Sequence, residues 1–174
     1  FNTVAKIANS IRKAIRIVLS GLQGSHYPIS YKERDLVLQN YMKLLHGDEY
    51  ETPRKVTPKD FIGPSSYTLQ MENIIENAEN SSVANIRKNY TVTDKADGER
   101  KLLYISENGK IYMIDTNMNV VFTGMKTDQK QTFYSLLDGE HIIYDKAGKL
   151  LNMYAAFDVY FILKKSKREL EFTK

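Results

Sequence analysis

Along "VAKIANSIRKAIRIVLSGLQG" the apolar residues Val4, Ile7, Ile11, Ile15, Val18 and Leu22 recur at steps of three and four. That spacing predicts one apolar stripe on a helix, with Gly21 and Gly24 marking its end. Lys6, Arg12, Lys13 and Arg16 fall mostly off the stripe, where a solvated face accounts for them better than a track for a phosphate backbone. A second helix is predicted over "SYKERDLVLQNYMKLLHG": Ser30 is the N-cap, Glu33 three positions on completes a reciprocal capping arrangement, and Gly47 is the stop. Between Asp48 and Pro64 the periodicity breaks at Pro53, Pro58, Gly63 and Pro64, which reads as a connecting segment and a boundary. Residues 1–60 are therefore expected to form a helical region and linker, and residues 61–174 a second unit. "SYTLQMENI" resumes an ordered pattern, and "NIIENAENSSVANIRKNY" reads as a polar helix or loop.

From Tyr90 onward the period changes to two. "YTVTD", "KLLYIS", "KIYMID" and "NVVFTG" read as short strands, with turns at Glu107-Asn108-Gly109 and Thr116-Asn117-Met118. Asn108-Gly109 is a hairpin signal, because both residues tolerate positive φ. "EHIIYD" and "LLNMYAAFDVYFI" pair around "KAGK". The fold class expected is α+β, a largely antiparallel sheet preceded by two helices. The tyrosines alternate as core and surface strand residues do, which argues against an aromatic RNA-binding platform.

Composition narrows the function classes. The 174 residues are 42% hydrophobic and 26% charged, in the range of a globular domain. There is no cysteine, which excludes disulfides, thiolate zinc sites and a thiol nucleophile. His26, His46 and His141 share no metal-ligand spacing. A net charge of +4 suits an anionic partner such as a nucleotide or RNA. With no signal peptide and no apolar run long enough to span a bilayer, the expected location is cytoplasmic or nuclear, not secreted, with no membrane partner. The chain starts at Phe1 and stops in the charged run "KKSKRELEFTK", so a piece of a longer protein is expected.

The chemistry concentrates in Asp94-Lys95-Ala96-Asp97-Gly98-Glu99-Arg100, a charged knot between two predicted strands. A lysine amine is a poor nucleophile while protonated, and its ordinary pKa in water is about 10.4. A reactive lysine must be desolvated or set beside cations, at a strand end in a pocket. Gly98 lets the chain turn sharply, and Arg100 offers a fork of donors for a phosphate or sugar oxygen. A solvated β-turn is the plain alternative, since Lys-x-Asp-Gly arises by chance in roughly a few per cent of chains this long. Two companions follow in order: Asp138-Gly139-Glu140 entering a strand, and Phe157-Asp158 inside another.

That order of motifs resembles the covalent nucleotidyltransferases, which comprise mRNA capping enzymes and the ATP- and NAD-dependent polynucleotide ligases. The chain looks most like the guanylyltransferase domain of mRNA capping enzymes, especially those of large DNA viruses. "FIGPSSYTLQMENI" resembles their Gly-Pro segment before the nucleophile motif, "KIYMIDTNMNVVF" their Ile-Asp strand, and "FDVYFI" their Phe-Asp strand. The resemblance covers about Phe61 to Ile162. It implies that Lys95 attacks the α-phosphate of GTP, expels pyrophosphate, and passes GMP to the 5′ diphosphate end of nascent RNA. Mg²⁺ or Mn²⁺ is the implied cofactor. Arg100, Glu140, Phe157, Asp97 and Gly98 form the implied nucleotide-binding set, Asp97 and Gly98 by shaping the turn. Glu140 is also the candidate metal ligand. Viral capping enzymes often fuse triphosphatase, guanylyltransferase and methyltransferase, so fused domains or a capping subunit are implied partners, and residues 1–60 could close a triphosphatase domain.

One position departs from the family, which usually has Arg after the Ile-Asp pair where this chain has Thr116. Lys101 and Lys126 are the candidate replacements. The family's later carboxylate motif, lysine-rich strand and OB-fold domain are not recognisable before Lys174, so the piece alone is expected to be inactive. Two other readings stay open. An ATP-dependent DNA or RNA ligase shares the lysine motif, although many ligases have Glu where Thr93 stands. A non-catalytic nucleotide-binding module is the third.

Overall fold

The computed structural model describes residues 3–51, 54–76, 82–88 and 90–171. Helix α1 spans Thr3–Gln23, and none of its residues is buried; the stripe is exposed along its length, from Val4 at 81% to Leu22 at 73%. The helix runs through Gly21 rather than stopping there and closes at Gly24, whose φ of 58° suits a residue without a Cβ. Gln23 then fastens the helix end to the following chain, donating to the Ile29 carbonyl at 2.7 Å and accepting from its N–H at 3.0 Å.

Helix α2, Tyr31–His46, is the one that packs. Ser30 caps it as expected, its hydroxyl accepting from the Glu33 N–H at 3.1 Å. The reciprocal half of the capping box is absent. Glu33 instead accepts from Lys110 Nζ at 2.7 Å and from the Tyr112 hydroxyl at 2.8 Å, so it joins the helix to the sheet. Burial pulls its carboxyl upward, but those two bonds and the Lys110 charge outweigh it and the net shift is downward. Gly47 ends the helix with a φ of 103°.

The sheet has six strands in the order β3-β2-β1-β4-β5-β6. They are β1 Glu99–Ile105, β2 Lys110–Asp115, β3 Val120–Lys126, β4 Ser135–Tyr144, β5 Leu150–Ile162 and β6 Lys165–Ser166, and every neighbouring pair is antiparallel. Alternation then sorts the faces. Leu102 opposes Ile114 and Asp138, and Tyr104 opposes Tyr112 and Leu136. The apolar members of this set join Val37, Leu38, Tyr41, Met42 and Leu44 of α2 in one buried cluster. The buried tyrosines are core residues, as the alternation predicts.

The linker is tied to the same core. Tyr41 is fully buried, its hydroxyl donating to the Asp60 carbonyl at 2.6 Å and accepting from the Ile62 N–H at 2.9 Å. The Asp60 carboxylate accepts from Arg54 at 2.8 and 2.9 Å and from the Thr57 N–H at 2.8 Å. Arg54 is the main reason its pKa falls to about 2. In the "NIIENAENSSVANIRKNY" segment, residues 77–81 and 89 lie outside the described residues, and the rest is a loop pinned by asparagines. Asn73 donates to Ala84 O at 2.9 Å and Asn85 to Ile75 O at 2.6 Å.

One expected strand does not form. Residues 90–97, holding "YTVTD", have no strand pairing, and Val92 is 98% exposed. Its β-branched residues suit a strand, but an extended run with no neighbour to take its hydrogen bonds does not hold by itself.

Candidate functional site

The loop before β1 delivers Lys95. An open cavity of about 550 Å³ is lined by Thr93, Asp94, Lys95, Ala96, Glu140, Ala155, Ala156 and Phe157, a size that suits a nucleotide. Three segments distant in sequence meet there: the loop that holds Lys95, the Asp-Gly-Glu strand β4 and the Phe-Asp strand β5. Lys95 thus lies in a pocket, but ahead of β1 rather than at the end of a preceding strand. Its side chain is 87% exposed; its ammonium faces the Ala96 carbonyl at 3.4 Å and the Asp97 carboxylate at 3.9 Å.

Asp97 and Gly98 do not line the cavity. Asp97 projects into solvent. Gly98 lets the loop pass close to β4, since a Cβ there would stand 2.7 Å from the His141 carbonyl oxygen.

Arg100 faces the same side of the sheet as Glu140, its direct partner in the register of β1 and β4. Three of its five N–H donors are committed within the protein. Nε and Nη2 donate to Asp138 at 3.1 and 2.5 Å, and Nη1 donates to the Pro64 carbonyl. The Asp138 bonds lead the causes that raise its pKa. The guanidinium also lies 5.6 Å from the Phe61 ring centroid, a cation–π distance. Asp138 is fully buried and accepts from the Tyr160 hydroxyl at 2.6 Å. Burial, then that bond, pushes the Tyr160 pKa well up. Sequence reasoning gave no role to Asp138, Tyr160, Phe61 or Pro64. The signal for Asp138 was present: it stands two residues before Glu140, and strand alternation puts both on one face.

Glu140 differs from its neighbours. Its Oε2 is buried and finds no hydrogen-bond partner among the described residues. A buried carboxylate oxygen left unmatched is costly, and such groups cluster where a ligand completes them. No group of three or more His, Cys, Asp or Glu residues that could hold a metal occurs among the described residues. A cage made by the protein alone does not fit this set. A Mg²⁺ that takes most of its ligands from phosphate and water does fit, with Glu140 as the carboxylate.

The candidate replacements for the missing Arg are placed elsewhere. Lys101 points to the face opposite Arg100, where it bonds Glu99 at 2.9 Å and lies 3.0 Å from His141 Nδ1. Lys126 pairs with Lys110 at the far end of the strands from Glu140. Thr116 sits in the β2–β3 turn, which Asp115 closes by accepting from the backbone of Asn117 at 2.9 Å and of Asn119 at 2.8 Å.

Comparisons with known proteins agree on one family. The profile described as "mRNA capping enzyme, catalytic domain" matches residues 59–174. The chain is 29% identical over 153 residues to a protein of Acanthamoeba polyphaga mimivirus named "Probable mRNA-capping enzyme". That match covers 88% of this chain and 11% of the viral protein, so the chain spans about a tenth of that relative's length.

Proposed function

The chain belongs to the mRNA capping enzyme catalytic domain family, and from that membership we propose that it carries the nucleophile half of an mRNA guanylyltransferase site. Lys95 Nζ attacks the α-phosphorus of GTP; the N–P bond forms, the bond to the β-phosphate oxygen breaks, and pyrophosphate leaves. The lysyl-GMP then gives its GMP to the 5′ diphosphate end of an RNA. The observation that carries this reading is the meeting of Lys95, Glu140 and Phe157 around one cavity of nucleotide size.

Each residue has a task that its position permits. Phe157 is 40% exposed and borders the cavity, so its ring is free to stack on guanine. The unpartnered oxygen of Glu140 suits a ribose hydroxyl or a phosphate-borne Mg²⁺. When bound, that ion neutralises phosphate charge. Lys95 attacks through its amine lone pair, so the nitrogen gives up a proton to solvent or to the departing pyrophosphate as the N–P bond forms. Arg100 and Asp138 stay behind this layer and shape it.

Helix α2 is part of the catalytic unit on this reading, because it shares its core with the strands that carry Glu140 and Phe157. A triphosphatase end, if present, would then be confined to α1. RNA and any fused triphosphatase or methyltransferase are partners of the full-length protein, at a cytoplasmic or nuclear site of transcription.

The experiment is covalent labelling. Full-length protein is incubated with Mg²⁺ and α-labelled GTP or ATP, denatured and run on a gel beside Lys95→Ala. Label from GTP alone, lost in the variant and released by acid but not base, is expected. Label from ATP would make the protein a ligase, and no label from either would leave the charged knot a turn.

A further inference from the structure

Arg100 and Glu140 stand directly opposite each other on β1 and β4. A cation and an anion in that relation on one face of an antiparallel pair ordinarily attract. Here they do not join. The guanidinium reaches instead to the diagonal neighbour Asp138, whose carboxylate is fully buried and anchored by the Tyr160 hydroxyl at 2.6 Å. Glu140 keeps Oε2 buried and unmatched beside the cavity.

We infer that Asp138 is a positioning residue of the nucleotide site: it holds Arg100 away from Glu140 and so leaves the Glu140 carboxylate free for a ribose hydroxyl or a phosphate-borne divalent cation. The inference rests on the guanylyltransferase reading. The backbone on the other side of the guanidinium is shaped around the same rotamer. Pro64 O accepts from Nη1, and the Phe61 ring lies beneath the charge. Gly63 has no Cβ where one would come within 2.5 Å of both Arg100 Nη2 and Phe61 Cε1. The Phe61–Pro64 segment and the Asp-Gly-Glu strand thus grip one arginine from two sides. With Asp138 neutral, the nearest free carboxylate on that face is Glu140.

The test uses the full-length protein with Mg²⁺ and α-labelled GTP in four forms: unaltered, Asp138→Asn, Arg100→Met, and the double variant. Asparagine keeps the shape of Asp138 and loses its charge, so Arg100 turns to Glu140. Asp138→Asn is expected to raise the GTP concentration for half-maximal labelling by about tenfold or more, the scale of a lost charge-assisted bond. The rate at saturating GTP should move much less. Arg100→Met loses the Pro64 anchor and leaves the buried Asp138 carboxylate without its cation, so it costs about tenfold or more and sets the baseline against which the double variant is read. The double variant should do no worse than Arg100→Met, because without a guanidinium nothing occupies Glu140.

A double variant that falls below Arg100→Met by the factor Asp138→Asn shows alone overturns the proposal, since a purely structural role for Asp138 would persist without Arg100. Unaltered protein that takes no label overturns the guanylyltransferase reading and this inference with it. Should Asp138→Asn lack a cooperative melt, Tyr160→Phe takes its place, alone and with Arg100→Met. It removes one hydrogen bond from Asp138 and keeps the ring, and a loss from Tyr160→Phe that persists undiminished in the Arg100→Met background likewise sinks the proposal.

Discussion

Tyr41→Phe is the perturbation that best separates the scaffold from the chemistry. The phenol is fully buried on α2, and its hydroxyl serves two backbone groups of the linker, the Asp60 carbonyl at 2.6 Å and the Ile62 N–H at 2.9 Å. Phenylalanine fills the same space, so no cavity forms and the transfer term is small. What changes is that two backbone groups lose their partner together. An unsatisfied buried group costs about 1–3 kcal/mol, and because Ile62 is only half-buried the lower part of that range applies to each, for a total of about 2–3 kcal/mol. For a chain of this size that lowers Tm by about 4–12 °C. Circular dichroism melts of the two proteins, under identical salt and pH, measure it. The segment released begins at Asp60 and runs into Phe61–Pro64, which grips Arg100, so GTP labelling below the melting range should also weaken. A Tm within about 1 °C of the unaltered protein would refute the reasoning. The linker would then be held by its apolar residues, Val56, Phe61 and Ile62, and the tyrosine hydroxyl would add nothing.

Two more outcomes follow from other parts of the molecule. Asp60 has a folded pKa depressed to about 2, so its contribution to stability is complete above the ordinary aspartate value near 3.9 and is lost as pH falls through the folded value. Melts between pH 5 and 2 should therefore show a shallower acid limb for Asp60→Asn than for the unaltered protein, and parallel limbs would contradict the assignment. Phe157→Ala should leave Tm within a few degrees, because the ring is 40% exposed. It should raise the GTP concentration for half-maximal labelling by about tenfold, the scale of a lost base–aromatic stack, while Phe157→Tyr retains affinity.

The hairpins were legible because each strand carries its own period and each turn its own residues. "KLLYIS", "KIYMID" and "NVVFTG" became β1, β2 and β3 with shifts of a residue or two, since Leu102, Tyr104, Tyr112 and Ile114 must all face α2. "YTVTD" failed for a reason outside itself. A strand is stable only with a neighbour, and local propensity says nothing about whether one arrives. Helix α1 shows the reverse case. Its periodicity specified the helix correctly, yet the same stripe said nothing of what would cover it, and it lies exposed. Glu33 shows a third limit. The spacing to Ser30 fits a capping box, but Lys110 and Tyr112, far along the chain, offer its carboxylate stronger partners.

At the site, types and order were readable and partners were not. Lys95, Glu140 and Phe157 meet around one cavity as the motif order implies. A guanidinium five residues from Lys95 invites a ligand-binding role for Arg100, and two of its five N–H groups remain for one beside the three tied within the protein. The sequence carries no sign that a buried carboxylate two residues from Glu140, itself held by a tyrosine on β5, and a proline carbonyl would take three of its donors. That competition is settled by rotamers and burial across elements, and no spacing rule encodes it. It also changes how the motif is understood. On the proposed reading, Lys-x-Asp-Gly-x-Arg supplies a nucleophile at one end and, at the other, an arginine tied to Asp138 and Pro64. On the same reading, Asp-Gly-Glu supplies the holder of that tie and, two residues later, a carboxylate bordering the cavity with one buried, unmatched oxygen. The short span of each motif follows from strand geometry: a tie and a free carboxylate on the same face must be two residues apart, and the glycine between them lies where a Cβ would come within 2.5 Å of the Ala155 carbonyl oxygen.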